Sequence, residues 1–562
     1  MNPVGKPAVL KANFKLLSLL GAIGLFIFLL LQVILPTLAG NQELVPKKTI
    51  SDQEAVSSAT TFIKETLGYQ VETPANPLVT YRAHSDLYGY LMKNELLAEY
   101  NRTWVSEYPY DLFRVHIPYD DINATLRVDL DMVTGKAVGF VVDRGTPSFM
   151  AEGVLEDETS DTMLRFAEGS ISLADKQAEA KAVLTDMGYD PATLELLTSD
   201  GDTGLLYRVT NHQIGEAPLE LKFLFENGKI RSFEPMFVAP KLHTDYVKQQ
   251  TAQANWMYYI GFALFTFVLG VLAIVYSIVK RSFTSFGRGI VLSIVYFLAS
   301  MISFFNMLPV FQSESTSSFM LVFLIIFQTI ITIVMAGSVY FSLVGGNALW
   351  REHGWNPWPR AKEPGYGLYV LRSMWAGYLW AFILLGVQSI IFVILGMTIG
   401  TWSTTDETQS PFNMTYAWVL PIMAWMAGIG EEAVYRFFGI AMVKRMVRST
   451  LVASIITSLI WAFGHTLYPI YPVITRPIEL LFIGLLFSFI FLRYGFITVM
   501  FSHVVFNSIL MGISLMTMGQ LSNVTAGVVG IILPAIVGYI VYKYNPTQKE
   551  KSYPTTPPEG QL

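Results

Sequence analysis

The 562-residue chain is 52% hydrophobic, carries a formal net charge of −5 and contains no cysteine. The length gives room for two or three domains, and the missing cysteines exclude both a disulfide framework and a thiolate zinc site. Residues 40–252 hold 33 of the 43 acidic residues but 19 of the 38 basic ones, a net of −14 against +9 elsewhere. One acidic soluble unit is thus spliced into a basic, lipid-facing chain, and no basic block suited to phosphate contacts is present, which argues against nucleic acid as a partner.

In chain order, residues 16–36 form an uncharged run of 21, about 31 Å as a helix, which matches a bilayer core. Lys6, Lys11 and Lys15 precede it, so by the positive-inside rule the N-terminus is cytoplasmic and residues 40–252 are extracytoplasmic. Leu38-Ala39-Gly40 offers a signal-cleavage alternative, but the long apolar core favours an uncleaved anchor.

The acidic segment repeats one pattern twice. Ser51 to Leu67 and Leu173 to Met187 have helical periodicity and stop at Gly68-Tyr69 and Gly188-Tyr189, and each is followed by a predicted hairpin. The hairpins turn at Thr134-Gly135-Lys136 and Asn227-Gly228-Lys229, both strong turn signals. Residues 149–172, rich in acids, read as a solvated linker between the units. Helix followed by hairpin, with this turn, resembles the PepSY-type domains found outside bacterial membranes. The resemblance implies an α+β unit that binds or inhibits, with a peptide or protein as its ligand. His84, His116, His212 and His243 are scattered without ligand-like spacing and read as surface or core residues.

From Trp256 the sequence is almost continuously apolar, and nine spans are predicted, at about 256–279, 289–310, 318–345, 368–399, 413–446, 450–468, 478–493, 496–517 and 522–543. With the first anchor there are ten, which returns the C-terminus to the cytoplasm. Basic loops around Arg281, Arg351, Arg445 and Arg493 alternate with connections holding Glu314, Asp406 and Glu407, Arg476 being the exception, as that topology requires.

Among the acids of this half, Glu479 follows Pro477 at a helix start, where it meets the helix dipole and is assigned no chemistry. Glu431 and Glu432, adjacent inside an apolar run, have no such explanation, and buried carboxylates in a membrane segment mark a functional site. Glu431 lies 17 residues before Arg448 and His465 lies 17 after it, so a helical hairpin turning there puts both about 25 Å from the turn and level with each other. Arg436 is placed to pair with Glu432, and Asn507 lies one turn beyond His503 on the same face.

Glu431-Glu432-x-x-x-Arg436, Trp461-x-x-x-His465 and His503-x-x-x-Asn507 together closely resemble the motifs of the type II CAAX prenyl protease family, the Ras-converting-enzyme-like and bacteriocin-processing membrane proteins. Trp461 stands where that family usually has Phe, which keeps an aromatic wall. The resemblance covers about 370–545 and implies an intramembrane endopeptidase that hydrolyses a membrane-associated peptide or protein with a glutamate-activated water and no cofactor or metal.

Peptide hydrolysis needs a base for water, donors for the oxyanion and a proton for the leaving amine. Glu431 suits the first role, with His465 holding the water or relaying the proton and His503 and Asn507 donating to the oxyanion. The cavity is expected to open toward the cytoplasm or laterally to lipid. His503 fits this arrangement poorly, lying only about 12 Å from its own turn.

Three rivals stand beside this reading: a His2Glu zinc protease built from Glu431, His465 and His503; a non-catalytic immunity, sensor or binding protein with the same polar core; and a transporter, for which no internal repeat is found. The expected fold is therefore a polytopic α-helical membrane protein with an inserted α+β domain. It divides into 1–39 (N-terminus and anchor), 40–252 (outer domain), 253–367 (preceding helices), 368–545 (protease-like core) and 546–562 (a disordered cytoplasmic tail).

Overall fold

A computed structural model describes residues 2–38, 48–72, 77–119, 121, 124–144, 172–198, 204–226, 228–314 and 318–545. Most of the acidic linker, Asn227 of the second turn, and the tail from 546 onward lie outside them.

The outer domain is one eight-stranded antiparallel sheet. Its strands are β1 (Leu78–Ala83), β2 (Asp111–Tyr119), β3 (Ala124–Asp131), β4 (Ala137–Asp143), β5 (Leu194–Thr198), β6 (Gly204–Ile214), β7 (Ala217–Glu226) and β8 (Lys229–Phe237), in the order β1-β2-β3-β4-β8-β7-β6-β5. Each half holds four strands and one of the two helices expected, and the halves join where Phe140 and Val141 pair with Phe233 and Ser232. The first helix, Asp52–Glu65, starts in a capping box between Ser51 and Glu54 and buries Ala55, Val56, Ala59 and Ile63. The second, Leu173–Asp186, is capped by Ser172 and buries Ala180, Val183 and Leu184. Both expected hairpins form, and the first turns on Asp131, whose Oδ1 accepts from the backbone of Val133 and Thr134 while Gly135 takes φ +72°. The sequence reading left β1, β2, β5 and β6 unassigned, together with the short helices Ser85–Lys93 and Leu97–Thr103.

The membrane half is built on ten longer helices among the described residues, beside a short one at Leu308–Glu314 and a few 3-10 turns: α1 (Phe14–Leu38), α2 (Lys241–Val279), α3 (Ile290–Asn306), α4 (Ser318–Glu352), α5 (Tyr366–Ile399), α6 (422–447), α7 (Thr450–Phe463), α8 (Thr475–Tyr494), α9 (Phe496–Thr517) and α10 (Leu521–Tyr544). Seven of them are long and apolar enough to cross a membrane; α3 and α7 are shorter, and α6 carries the paired carboxylates. With the separate sheet domain, this is a polytopic helical protein with an inserted α+β unit. Helix α2 starts at Lys241, well before the expected span, and runs unbroken through 252/253.

The two ends of α5 separate two faces. On one, the 353–365 loop gathers the N-terminus and the end of α10: Asn2 and Pro3 pair with Asn356 and Trp355, and Asn545 donates through Nδ2 to the Ala361 carbonyl at 2.8 Å. The two ends of the described chain therefore share a face. On the other face, the outer domain sits on the 401–413 and 465–474 segments, which are clasped together where Trp402 and Ser403 pair with Tyr471 and Ile470. An edge strand exposes unpaired backbone groups that must be covered, and here side chains cover β1. The Asn413 carboxamide accepts from Tyr81 N–H at 2.6 Å and donates to the Tyr81 carbonyl at 2.9 Å, and Glu407 accepts from Ala83 N–H at 2.8 Å. Trp402 packs on Gly89, where a Cβ would come within 2.7 Å of its ring.

Asn413→Ala leaves a buried backbone donor and acceptor of β1 unmade, a loss of about 1–3 kcal/mol each, and should speed hydrogen exchange at the Tyr81 amide while leaving the β7–β8 amides unchanged.

A separate cluster makes the outer domain sensitive to acid. On one face of the sheet Arg114 grips Asp129 through two bonds of 2.7 and 2.8 Å, and His116 lies beside them, bonded to Thr80 at 3.0 Å. Burial, then Arg127 and Arg114, hold the His116 imidazole down at about 3, and the Arg114 guanidinium keeps Asp129 ionised well below the usual carboxylate range despite its burial. Below the ordinary histidine value of about 6.5 the unfolded chain takes up a proton that the folded chain refuses. Stability present above that pH is therefore lost as pH falls toward 3, and Asp129 adds a slope of the same sign at the acid end. The outer domain's stability, followed by hydrogen exchange in the full chain, should fall over this window. His116→Gln should make the fall above pH 4 shallower, the half-buried His84, also held below the ordinary histidine value by desolvation, and the buried His243 supplying the remainder.

Candidate active site

Helix α6 is built in three pieces: an α-helical turn sequence Ile422–Glu431, a wide π segment Glu432–Gly439 and an α-helical end Ile440–Val447. Such π segments recur at functional sites because the extra residue per turn re-aims side chains. Small residues let α6 sit close to its neighbours: Gly428 lies against Val504 and the Met500 carbonyl of α9, and Gly430 lies against the Tyr296 ring of α3. The Trp350 indole donates to the Phe437 carbonyl at 2.8 Å within the widened stretch. Arg448 ends the helix in the left-handed conformation, and Ser449 caps α7, so the hairpin turns where the sequence indicates.

The two adjacent carboxylates have different surroundings. Glu432 is fully buried, and its Oε1 meets Arg436 Nη1 at 3.2 Å and His503 Nδ1 at 2.8 Å. A carboxylate only accepts, so His503 Nδ1 carries the proton of that bond. The buried Arg436 guanidinium lies over Trp461 at 4.2 Å and Phe487 at 5.2 Å from the ring centres, so aromatic faces cover it, while its Nε, Nη1 and Nη2 make no hydrogen bond among the described residues. Phe487 also stacks on His503, with centroids 4.5 Å apart and planes at 20°.

Glu431 remains 26% exposed at its side chain, accepts a hydrogen bond from Trp461 Nε1 and stands 3.7 Å from His503 Nε2. Trp461 is therefore more than an aromatic wall: its face holds Arg436 and its N–H holds Glu431. Phenylalanine supplies only the first of these. Its N–H was the available signal in the sequence, whereas Phe487, one Phe among many in an apolar helix, gave none.

His465 lies just beyond the end of α7, donates through Nδ1 to the Trp461 carbonyl at 3.0 Å and stacks on Tyr468. Trp461, one turn earlier, is the α7 residue that bonds Glu431, because α7 stops at Phe463 and α6 is widened. Uniform helical rise from Arg448 describes neither stretch. Asn507 is half-buried one turn beyond His503 and has no hydrogen-bond partner among the described residues. No group of three His, Asp or Glu side chains among the described residues is arranged to hold a metal ion.

The depth difficulty with His503 disappears because the α8–α9 turn is not at the surface. Gly495 is buried beneath the 353–365 loop, where a Cβ would fall 2.6 Å from the Pro357 carbonyl, and Phe496 N–H donates to that carbonyl at 2.9 Å. The Arg448 turn is exposed, so the two turns need not be level. His465, for its part, belongs to the segment facing the outer domain, where Thr466 donates to the Ala254 carbonyl at 3.0 Å. The site is bordered by that face, not by the hairpin turns on the other one.

Fold and cluster define a polytopic membrane protein with a carboxylate–imidazole–guanidinium centre assembled from four neighbouring helices. Residues 413–509 match the family model of type II CAAX prenyl endopeptidases, Rce1-like, and this C-terminal part of the chain is an Rce1-like domain. The matched stretch contains Glu431, Glu432, Arg436, Trp461, His465, His503 and Asn507. The chain is also similar to the sporulation-killing factor biosynthesis protein SkfC of Bacillus subtilis (strain 168), at 28% identity over 190 residues. That alignment covers 33% of this chain and 36% of the relative's length, so the chain spans about a third of the curated relative it matches. Among solved structures, the Bacillus megaterium YpeB C-terminal domain aligns over 36% of this chain and 75% of its own, at 13% identity and a TM-score of 0.19, too low to define a common fold.

Removing Arg436 alone strands a buried carboxylate. Arg436→Leu should lower stability by about 3–5 kcal/mol, and the Glu432→Leu/Arg436→Leu pair should recover most of it, as read by thermal unfolding in detergent.

Proposed function

We propose that the chain is an intramembrane endopeptidase that cleaves a membrane-associated peptide or protein, with Glu431 as the general base. The Rce1-like domain supports a protease-type role. The observation that carries the catalytic assignment is the contrast between adjacent carboxylates. Glu432 is sealed and committed to Arg436 and His503, while Glu431 stays accessible and faces His503 Nε2.

In this reading a water held by Glu431 loses its proton to the carboxylate as its oxygen attacks the scissile carbonyl carbon. With Nδ1–H committed to Glu432, His503 Nε2 accepts a hydrogen bond from that water as neutral imidazole. It takes the water's second proton from the tetrahedral adduct and, as imidazolium, donates to the oxyanion, releasing that proton to solvent after the carboxylate product leaves. The Asn507 amide supplies a second donor. His465, its Nδ1–H bonded to the Trp461 carbonyl, presents Nε2 as an acceptor that orients the water or relays its proton. The C–N bond breaks as Glu431 returns the proton to the leaving amine, giving one carboxylate and one amine product.

The lysines before α1 and the basic loops on the face of the chain ends support a cytoplasmic placement of that face. The outer domain is then extracytoplasmic, beside the segment carrying His465, where a peptide or protein bound to it would meet the substrate path.

The test compares membrane-proteome termini by mass spectrometry in cells with wild type, Glu431→Gln or no copy. Glu431→Gln should lower cleavage by about 10²–10⁴-fold without lowering protein level, so that the same products vanish as in the deletion. Full complementation by Glu431→Gln sinks the catalytic reading and leaves a structural or ligand-binding polar core.

A further inference from the structure

Beside the proposed catalytic centre lies a second charged group that the mechanism does not use. Arg476 opens α8 on the outer-domain face, and its Nη1 donates to Glu479 Oε2 at 2.8 Å. Glu479 is fully buried, and its other oxygen accepts from Gln388 Nε2 of α5 at 2.9 Å. The acid is thus no ornament at a helix start: it is anchored on two elements and in turn fixes the guanidinium. Arg476 sits over the Tyr468 ring at 5.3 Å, and Tyr468 stacks on His465 with centroids 5.9 Å apart and planes at 11°. Its Nε, buried, has no partner among the described residues.

Charges in a membrane segment are costly and serve a purpose. A helix start needs an acid for its dipole, not a cation, so Arg476 is misplaced for that role. Stability alone does not explain the pair either, since a buried ion pair is about matched by an apolar pair of the same shape. A guanidinium held in one orientation by a carboxylate, with donors left over, is a carboxylate receptor in form.

Resting on the protease reading above, the geometry points to Arg476 as a specificity residue that binds a carboxylate of the substrate near the scissile bond, with Glu479 and Gln388 as its positioning residues and Tyr468 spacing it from His465. The substrate class is then a membrane-associated peptide carrying either an acidic side chain or a free C-terminus close to the cleaved bond.

Binding separates this from the catalytic assignment. Full-length Glu431→Gln protein in lipid nanodiscs is titrated with lipidated peptides in two matched pairs: free C-terminal acid against amide, and internal Asp against Asn. One acid of a pair should bind about tenfold tighter than its neutral partner, as a charge-assisted contact implies, and the pair that responds names the source of the carboxylate. Arg476→Gln should reduce the ratio to about one, Arg476→Lys should keep part of it, and Arg476→Gln/Glu479→Gln, which leaves no buried charge unpaired, should also abolish it. Equal affinity within both pairs while Arg476 is intact, or no binding of any peptide, overturns the proposal. A surviving acid preference in protein whose wild type cleaves nothing would instead sink the protease reading and leave the receptor standing.

Discussion

Everything in the membrane half is arranged around one buried contact, the Glu432 carboxylate shared between Arg436 and His503. Taking these charges out of water is worthwhile only where each is matched, and the matching enlists four helices. Helix α6 brings the carboxylate and guanidinium, α9 the imidazole, and α7 and α8 the rings of Trp461 and Phe487, which meet edge to face and form one aromatic corner against the cation. Shifting any one of these helices along its axis would expose a charge to hydrocarbon. Register among the four is thereby fixed more tightly than apolar packing alone would fix it, since leucine and phenylalanine side chains slide past lipid tails and one another at little cost. Glu431, one residue away, inherits a defined position while staying outside the locked pair.

How much of this was legible depended on the kind of signal. Paired acids in an apolar run stand out because their cost is so high, and the spacing from Glu432 to Arg436 directly encodes a contact on one helix. The hairpin turns of the outer domain were equally readable, since Asp131, Thr134 and Gly135 satisfy a turn locally. Strands β1, β2, β5 and β6 were not: β1 is separated from its partner β2 by two short helices, the reading passed over the short connections that join β5 to β6 and β6 to β7, and in β2 the buried Arg114, paired with Asp129 of β3, breaks the polar-out alternation that a strand pattern assumes. Depth arithmetic failed for a related reason. It took every loop as lying at the membrane surface and every helix as uniform, whereas Gly495 is roofed by the 353–365 loop and α6 is widened through its centre. Glu479 was read as a local helix-start acid because Gln388, the partner that shows otherwise, lies 91 residues away.

The outer sheet illustrates how an edge can be protected without another strand. Asn413 imitates a peptide group, accepting from and donating to the same residue, Tyr81. Because that asparagine belongs to the connection leading into α6, covering the sheet edge and positioning the carboxylate-bearing helix are tasks of a single loop. The Trp402 ring, lodged on Gly89 and stacked on Tyr471 at 4.6 Å, ties the second connection to the same anchorage.

Helix α2 gives this anchorage a mechanical character. It runs for 39 residues without a break, about 58 Å of rod, with one end against the Ser85–Lys93 helix of the outer domain through His243 and Tyr246 and its shaft in the membrane. Its own π segment, Met257–Leu264, falls where Gly261 meets Phe463 and Phe262 meets Gly464, directly before His465. Those contacts are too close for a methyl group on either glycine, so the shaft bears on the α7 end with no slack. The shaft that leaves the outer domain thus also walls the turn that holds His465, so the place of that imidazole is set by a helix rooted outside the catalytic cluster as well as by α7 itself.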